Sequence, residues 1–287
     1  MADQPSTIDA VEGQPPIVYI SDIHGYIQDA RSALTTLSDT DKYDPVVTQD
    51  ESGTLHWADN DYVLVFNGDM IDRGPANDAC LELVWRLIEE APSGRVHYHL
   101  GNHELAIMLP VLVNWPNTYS TSFSTDQRRE FLSRIIDRDV TIAYRGHTNI
   151  ISHAGSNEAF DPAEVNESLR AAASTIVEAL GNPNETQVQK RVADRYDRLF
   201  QLGEHGGRGP SAGLCWLDFG HLDPSAPNQL VGHTKRFEPV RKGNVICGNV
   251  IRMNQGSPSG EGILIETPEA VKFVKRQAKG SVGVKDI

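Results

Sequence analysis

The sequence predicts an α/β protein organised on a mostly parallel sheet. Two observations carry this reading. Short β-branched apolar runs alternate with helical patterns among the early elements, and strand–helix–strand order implies βαβ crossovers. Five apolar runs also end in a cluster of polar residues, and in such sheets ligands sit beyond the carboxyl ends of the strands. With 287 residues, the chain buries a core without help from disulfides.

The elements follow in order. Ile17–Ile20 runs into Ser21-Asp22-Ile23-His24-Gly25, and Ala30, Ala33, Leu34 and Leu37 then mark a helix. Residues 45–58 alternate around Ser52-Gly53, a hairpin signal. Residues 62–66 lead into Asn67-Gly68-Asp69-Met70-Ile71-Asp72-Arg73-Gly74. After them Cys80, Leu83, Val84, Leu87 and Ile88 recur at the spacing of a core-facing helix. Residues 95–100 lead into Gly101-Asn102-His103-Glu104, residues 149–152 into His153-Ala154-Gly155, and residues 229–231 into Gly232-His233-Thr234. Residues 105–139 and 157–204 read as mainly helical and as a cap leaning over the strand ends. Gly181-Asn182-Pro183-Asn184 splits the second of these regions. Residues 203–213, with five glycines, form a mobile or closely packed loop. Residues 244–251 and 262–267 look like a strand pair. One domain at 16–275 is expected between tails at 1–15 and 276–287.

Composition narrows the function. Twenty-six basic against 39 acidic residues give a net charge of −13, which repels nucleic-acid backbones and anionic membranes. No apolar run approaches the roughly 18 residues of a membrane span. The first sixteen residues lack the basic start and apolar stretch of a signal peptide. Cys80, Cys215 and Cys247 are too scattered for a disulfide framework or a cysteine zinc site, so a reduced cytoplasmic setting is expected.

The polar clusters supply Asp22, His24, Asp69, Asn102, His153 and His233. This mixed oxygen and imidazole set suits Mn²⁺, Fe or Zn²⁺ better than Ca²⁺ or Mg²⁺. Six ligands exceed one tetrahedral site, but a carboxylate such as Asp69 can bridge two ions. A pair of divalent or transition-metal ions sharing a hydroxide suits in-line displacement at phosphorus. Arg73 can fork onto two phosphate oxygens. His103 is placed to protonate a departing alkoxide, and Asp72 to orient it.

These five clusters resemble, in order, the motifs of the calcineurin-like metallophosphoesterases. The Asp72-Arg73-Gly74 and Gly101-Asn102-His103-Glu104 elements resemble the phosphoprotein phosphatase branch of serine/threonine phosphatases. The resemblance spans residues 16–265. It implies a four-layer fold, a central β-sandwich of two mixed sheets flanked by helices. It implies one metal on Asp22, His24 and Asp69, and a second, manganese being the first choice, on Asp69, Asn102, His153 and His233. His103 would be the general acid, supported by Asp72, with Arg73 on the phosphate. The family's second phosphate-binding arginine has no counterpart between residues 218 and 233, and Arg208 is the candidate substitute. The expected activity is phosphomonoester hydrolysis on a phosphorylated protein. The alternative is a small phosphate-containing substrate of the diadenosine tetraphosphate type. A catalytically dead scaffold would lack a ligand or His103, and neither is missing.

Other conspicuous residues take structural readings. Glu104 favours a first helical turn. His97 and His99 share one strand face, His147 sits in a hairpin turn, and His56, His205 and His221 are taken as structural. Trp85 and Trp115 are assigned to packing, and Cys247 to an apolar strand.

Overall fold

A computed structural model describes residues 8–113, 115–256, 261–277 and 280–287. Along the chain lie β1 (Ile17–Ile20), α1 (Ile27–Thr35), β2 (Val47–Gln49), β3 (Leu55–Trp57), β4 (Val63–Phe66), α2 (Asn77–Glu90), β5 (Val96–His99) and α3 (Asn102–Met108). Then come α4 (Thr125–Ile136), β6 (Val140–Thr141), β7 (Ala143–Arg145), β8 (Ile150–Ser152), α5 (Pro162–Ala179), α6 (Glu185–Arg195), α7 (Asp197–Phe200) and α8 (Glu204–Gly207). The last elements are β9 (Gln229–Val231), β10 (Val240–Lys242), β11 (Val245–Cys247), β12 (Gly262–Glu266), β13 (Val271–Arg276) and β14 (Val282–Asp286).

Two mixed sheets result. The larger has the order β14-β13-β12-β1-β4-β5-β6, the smaller β10-β11-β9-β8-β7, and β2-β3 is the expected hairpin. Within the larger sheet β1, β4, β5 and β6 run parallel; in the smaller sheet β8, β9 and β11 do so. The sheets face one another across a core of alternate residues, including Ile17, Tyr19, Val63 and Val65 from one and Tyr144, Ile151, Leu230 and Ile246 from the other. Val18, Ile20, Leu64 and Phe66 point the other way, toward Leu34, Leu83, Val84 and Leu87 of the helical layer. Covering both faces explains why β1 and β4 read as unbroken apolar runs. The outer face of the small sheet, with Val231, Val245 and Cys247, is covered by Leu217, Phe219, Leu222 and Ala226. That layer is loop with one 3-10 turn, Phe219–His221.

The chain changes sheets at two points that pattern alone did not show. Ile142 separates β6 from β7, and Asn166 of α5 repairs the break. Its Oδ1 accepts from the Ile142 and Ala143 N–H groups at 2.9 and 3.1 Å, and its Nδ2 donates to the Ala143 carbonyl. The expected strand pair near the C-terminus is the second case, and it is corrected: β11 pairs with β9 and β10, whereas β12 pairs with β1 and β13. The crossing passes Gly248, where a Cβ would stand 2.5 Å from Leu264 and 2.7 Å from Tyr19, so only glycine fits.

Both expected tails need correction, because a sheet edge offers unpaired backbone groups. β14 pairs along β13 from Arg276↔Val282 to Lys272↔Asp286. At the other end, residues 1–7 lie outside the described residues, but Val11 donates to the Arg145 carbonyl and Arg145 to the Asp9 carbonyl, each at 2.8 Å. The helical cap is also corrected. Residues 109–113 and 115–124 are non-helical apart from the 3-10 turn Ser120–Ser122, in a stretch carrying Pro110 and Pro116, whose rings break helices. α4 and α5 pack on each other and against the β6 and β7 edge, burying Phe131, Leu132 and Ile135 with Leu169, Ala172, Ala173 and Ile176. The expected split after α5 does occur, at residues 180–184.

Glu266 of β12 ties the sheets together. Fully buried, it accepts from the N–H groups of Thr148 and Asn149, the Thr148 hydroxyl and the Asn149 amide, all within 3.0 Å. Removing this acceptor strands the buried Asn149 donors in the β7–β8 turn. Glu266→Ala is therefore expected to cost about 3 kcal/mol of stability, read from the urea midpoint.

Candidate metal centre and active site

Because β1, β4 and β5 are parallel neighbours and β8 and β9 likewise, their carboxyl ends emerge along one edge of the sandwich. Each contributes its side chain within a few residues of the strand end. To turn back over that edge, the backbone enters the left-handed region at Asp22, His24, Asp69, Asp72, Arg73 and His233, with φ between 50° and 71°. Each such residue costs about 1–2 kcal/mol without compensation. Compensation comes from bonds between the β1 and β4 loops. Asp22 donates to the Gly68 carbonyl at 3.1 Å, His24 to the Asp69 carbonyl at 2.8 Å, and Gly74 to the His24 carbonyl at 2.7 Å. Glu104 adds a buried clamp, its carboxylate accepting from the N–H groups of Asp69, Met70 and Gly101 at 2.8–2.9 Å. It begins a helix, as expected, and also holds the Asp69 turn.

Asp69 is the centre of the cluster. Its Oδ2 lies 3.4 Å from His24 Nε2 and 3.5 Å from His153 Nε2, while its Oδ1 accepts from the His103 N–H at 3.0 Å. Asn102 Oδ1 stands 3.0 Å from His233 Nδ1 and 3.3 Å from His153 Nε2. Asp22 Oδ1 is 3.9 Å from His24 Nε2. Two groups of ligand atoms, each within 4.8 Å of one another, share Asp69: one with His24 and His103, the other with His153 and His233. His24 and His153 give their Nδ1–H to the carbonyls of Ile71 and Asn67 at 3.0 and 2.9 Å. Those bonds select the tautomer whose Nε2 lone pair faces the cluster.

The residues fit a cation. Asp22 Oδ1 is buried without a hydrogen-bond partner among the described residues, although it belongs to a carboxylate. Burial, opposed by His153 and reinforced by Asp69, pushes the Asp22 carboxyl up to about 7. Burial would also raise Asp69, but His153, His103, His24 and His233 hold it below the ordinary range. Burial drives His24 and His233 down to about 3, leaving them neutral donors. His153 is raised instead, because Asp69 and Asp22 outweigh its burial. Anions and neutral imidazoles packed this closely form a donor set for hard-to-borderline metal ions.

A cavity of about 510 Å³ opens beside the cluster, lined by His24, Asp69, Asn102, His103 and His233. His103 Nδ1 meets Asp72 Oδ2 at 2.6 Å. Burial would raise the Asp72 carboxyl, but hydrogen bonds from His103 and Ser120 hold it low. Arg73 and Arg208 both line the cavity, so the sequence-selected cations face the same space. Asp22, Asp72 and His153 stand behind the wall.

Sequence reasoning missed Lys235, Arg252 and Trp216, which also line the cavity. Lys235 follows His233 by two residues and was findable from that proximity; Arg252 follows β11 on a 3-10 turn with no motif around it. Trp115 packs against the main core as expected and also lines the cavity. Its ring lies 4.5 Å from that of His103 and 5.8 Å from Trp216, and the Arg73 guanidinium is 5.9 Å from its centroid. Trp85 packs against Tyr98 and Phe131. His97 and His99 are buried, His97 against Tyr144 and His99 on Asn67. His147 in its turn bonds the Pro15 carbonyl, and His56 bonds Glu90. The His205 side chain lies outside the described residues.

Residues 15–237 match the family model of the calcineurin-like phosphoesterases. The chain belongs to that family. It is accordingly a metal-dependent hydrolase of phosphate esters. A comparison with curated proteins finds no match. Among solved structures, a single-substitution mutant of a cold-active protein tyrosine phosphatase matches with a TM-score of 0.62 at 19% identity, covering 96% of this chain and 82% of that one. The cold-active protein-tyrosine phosphatase of a psychrophilic Shewanella species matches at 0.59 and 18% identity, with the same coverage. At these identities the likeness is one of fold.

The packing around Asp69 yields a test. A Cβ on Gly101 would collide with the Asp69 carboxylate and stand 2.5 Å from its backbone nitrogen. Gly101→Ala is expected to weaken metal binding by about 10–100-fold while the protein remains folded, as read by metal titration beside a thermal melt.

Proposed function

We propose that this phosphoesterase is a phosphomonoesterase of the phosphoprotein phosphatase type, acting on phosphoserine and phosphothreonine esters. The observation that carries the reading is the Asp72–His103 pair at 2.6 Å, in reach of the cavity that Asp69 and Arg73 line. An alkoxide leaving group needs a proton as the P–O bond breaks, whereas a phosphate leaving group does not. A buried acid dyad is therefore best matched to serine and threonine esters.

Asp22, His24 and Asp69 would hold one ion, and Asp69, Asn102, His153 and His233 a second, with manganese the first choice. The bound pair would supply Lewis acidity toward the phosphoryl oxygens and an ionised water at neutral pH. The protein does the rest. Arg73 and Arg208 orient the non-bridging oxygens, and Trp115 backs both Arg73 and His103. His103 keeps Nδ1–H on Asp72 and directs Nε2 at the departing oxygen.

A second reading, hydrolysis of dinucleoside polyphosphates, draws on Lys235 and Arg252, which add positive charge beyond what one phosphate needs. The cytoplasm is the proposed setting, in keeping with three buried free thiols. No helix among the described residues is long and apolar enough to cross a membrane.

Rates on a phosphoserine peptide and on diadenosine tetraphosphate, measured side by side with manganese-loaded protein, decide between the readings. The peptide is expected to be turned over at least about tenfold faster, a margin of roughly 1.4 kcal/mol; the opposite order favours the polyphosphate. Asp69→Asn is expected to abolish bound manganese at both positions and to lower turnover by about a thousandfold or more, measured by elemental analysis and phosphate release. Retention of one full equivalent of metal would refute the shared carboxylate.

A further inference from the structure

The stretch between α3 and α4 reaches back over the acid. The Trp115 ring packs against the His103 ring, tilted by 37°, and five residues later Ser120 grips Asp72. The Ser120 N–H donates to Asp72 Oδ1 at 2.8 Å, and its hydroxyl donates to Asp72 Oδ2 at 2.7 Å. That second oxygen also receives the His103 Nδ1–H. Ser120 is buried, and its hydroxyl lies 3.1 Å from Thr118 Oγ1. From the other side, Asn77 Oδ1 accepts the Asp72 N–H at 2.7 Å.

A carboxylate with a single partner rotates easily about its Cβ–Cγ bond, because that torsion is broad. Two donors from one residue, one on each oxygen, fix its plane. The plane of Asp72 in turn sets the direction of the His103 Nδ1–H bond and hence the aim of Nε2. Proton delivery is sensitive to such aim, since misplacement by an ångström costs large factors in rate.

We propose that Ser120 is a positioning residue, which locks the Asp72 carboxylate so that His103 is aimed at the leaving oxygen. This rests on the acid role given to His103 above. As a water oxygen bonds to phosphorus and the bond from phosphorus to the alkoxide breaks, the alkoxide oxygen takes the Nε2 proton and leaves as the alcohol, and His103 is left neutral with Nδ1–H still on Asp72.

The test compares β-glycerophosphate, a poor leaving group, with p-nitrophenyl phosphate, a good one, on manganese-loaded protein. Ser120→Ala is expected to lower kcat on β-glycerophosphate by about tenfold, as for loss of one hydrogen bond to a charged group, and on p-nitrophenyl phosphate by less than about twofold. Ser120→Thr keeps both donors and is expected to keep the wild-type ratio of the two rates. In a His103→Asn background, Ser120→Ala is expected to add no further loss. Equal loss on both esters in Ser120→Ala, or an additive loss in the double variant, overturns the assignment of Ser120 while leaving the acid role intact. If His103→Asn alone slows both esters equally, the acid role fails and the proposal fails with it.

Discussion

The arrangement depends on keeping the Asp69 carboxylate ionised where the carboxyl edges of two sheets meet. Burial alone works against that charge, and four imidazoles around it work in favour. None of the four comes from the same strand end as Asp69. The cluster around Asp69 forms only if β1, β5, β8 and β9 all deliver their side chains to one point. Tight glycine contacts and left-handed turns are the consequence. Gly101 approaches Asp69 more closely than any side chain allows, and six residues around the cluster accept an unfavourable φ. Such strain persists only where surrounding bonds over-determine the backbone, and the Glu104 carboxylate with its three N–H partners is one of those restraints.

The two halves of the site are built differently. The candidate metal-binding side chains stand on strand ends, whose positions the sheets dictate. The cavity wall opposite comes from loops and short turns, which bring Trp115, Arg208, Lys235 and Arg252. This division lets one scaffold keep its chemistry while loops change the substrate. Arg73, Arg208, Lys235 and Arg252 bring positive charge to that cavity in a chain of net charge −13.

The hydrogen bonds behind the cluster connect the layers. Asn67, at the end of β4, donates to Tyr19 and to the Ser152 carbonyl, while its side-chain oxygen accepts from His99 and its carbonyl from His153. One buried amide thus joins β1, β4, β5 and β8 directly beneath the Asp69 cluster. Glu266 does the same at a distance from the site, between β12 and the β7–β8 turn. The sandwich is therefore cross-linked by hydrogen-bonded polar groups as well as by the apolar core, and such bonds make buried groups rigid.

Local pattern determined the parts of this protein that lie close together in the chain. β1, β4, β5, β8 and β9, the polar clusters just beyond them, the β2–β3 hairpin and the division between α5 and α6 were all legible. Each is a short run of side chains whose periodicity or turn chemistry is complete within about ten residues. Tertiary structure alone decided the sheet crossings at Ile142 and Gly248, the separate partners of β11 and β12, and the pairing of β14 with β13. It also decided the meeting of Trp115 and Ser120 with His103 and Asp72 and the place of Arg252. Those features arise from contacts between residues far apart in sequence, made to satisfy a sheet edge or fill a wall, and such contacts leave no periodic trace in either partner.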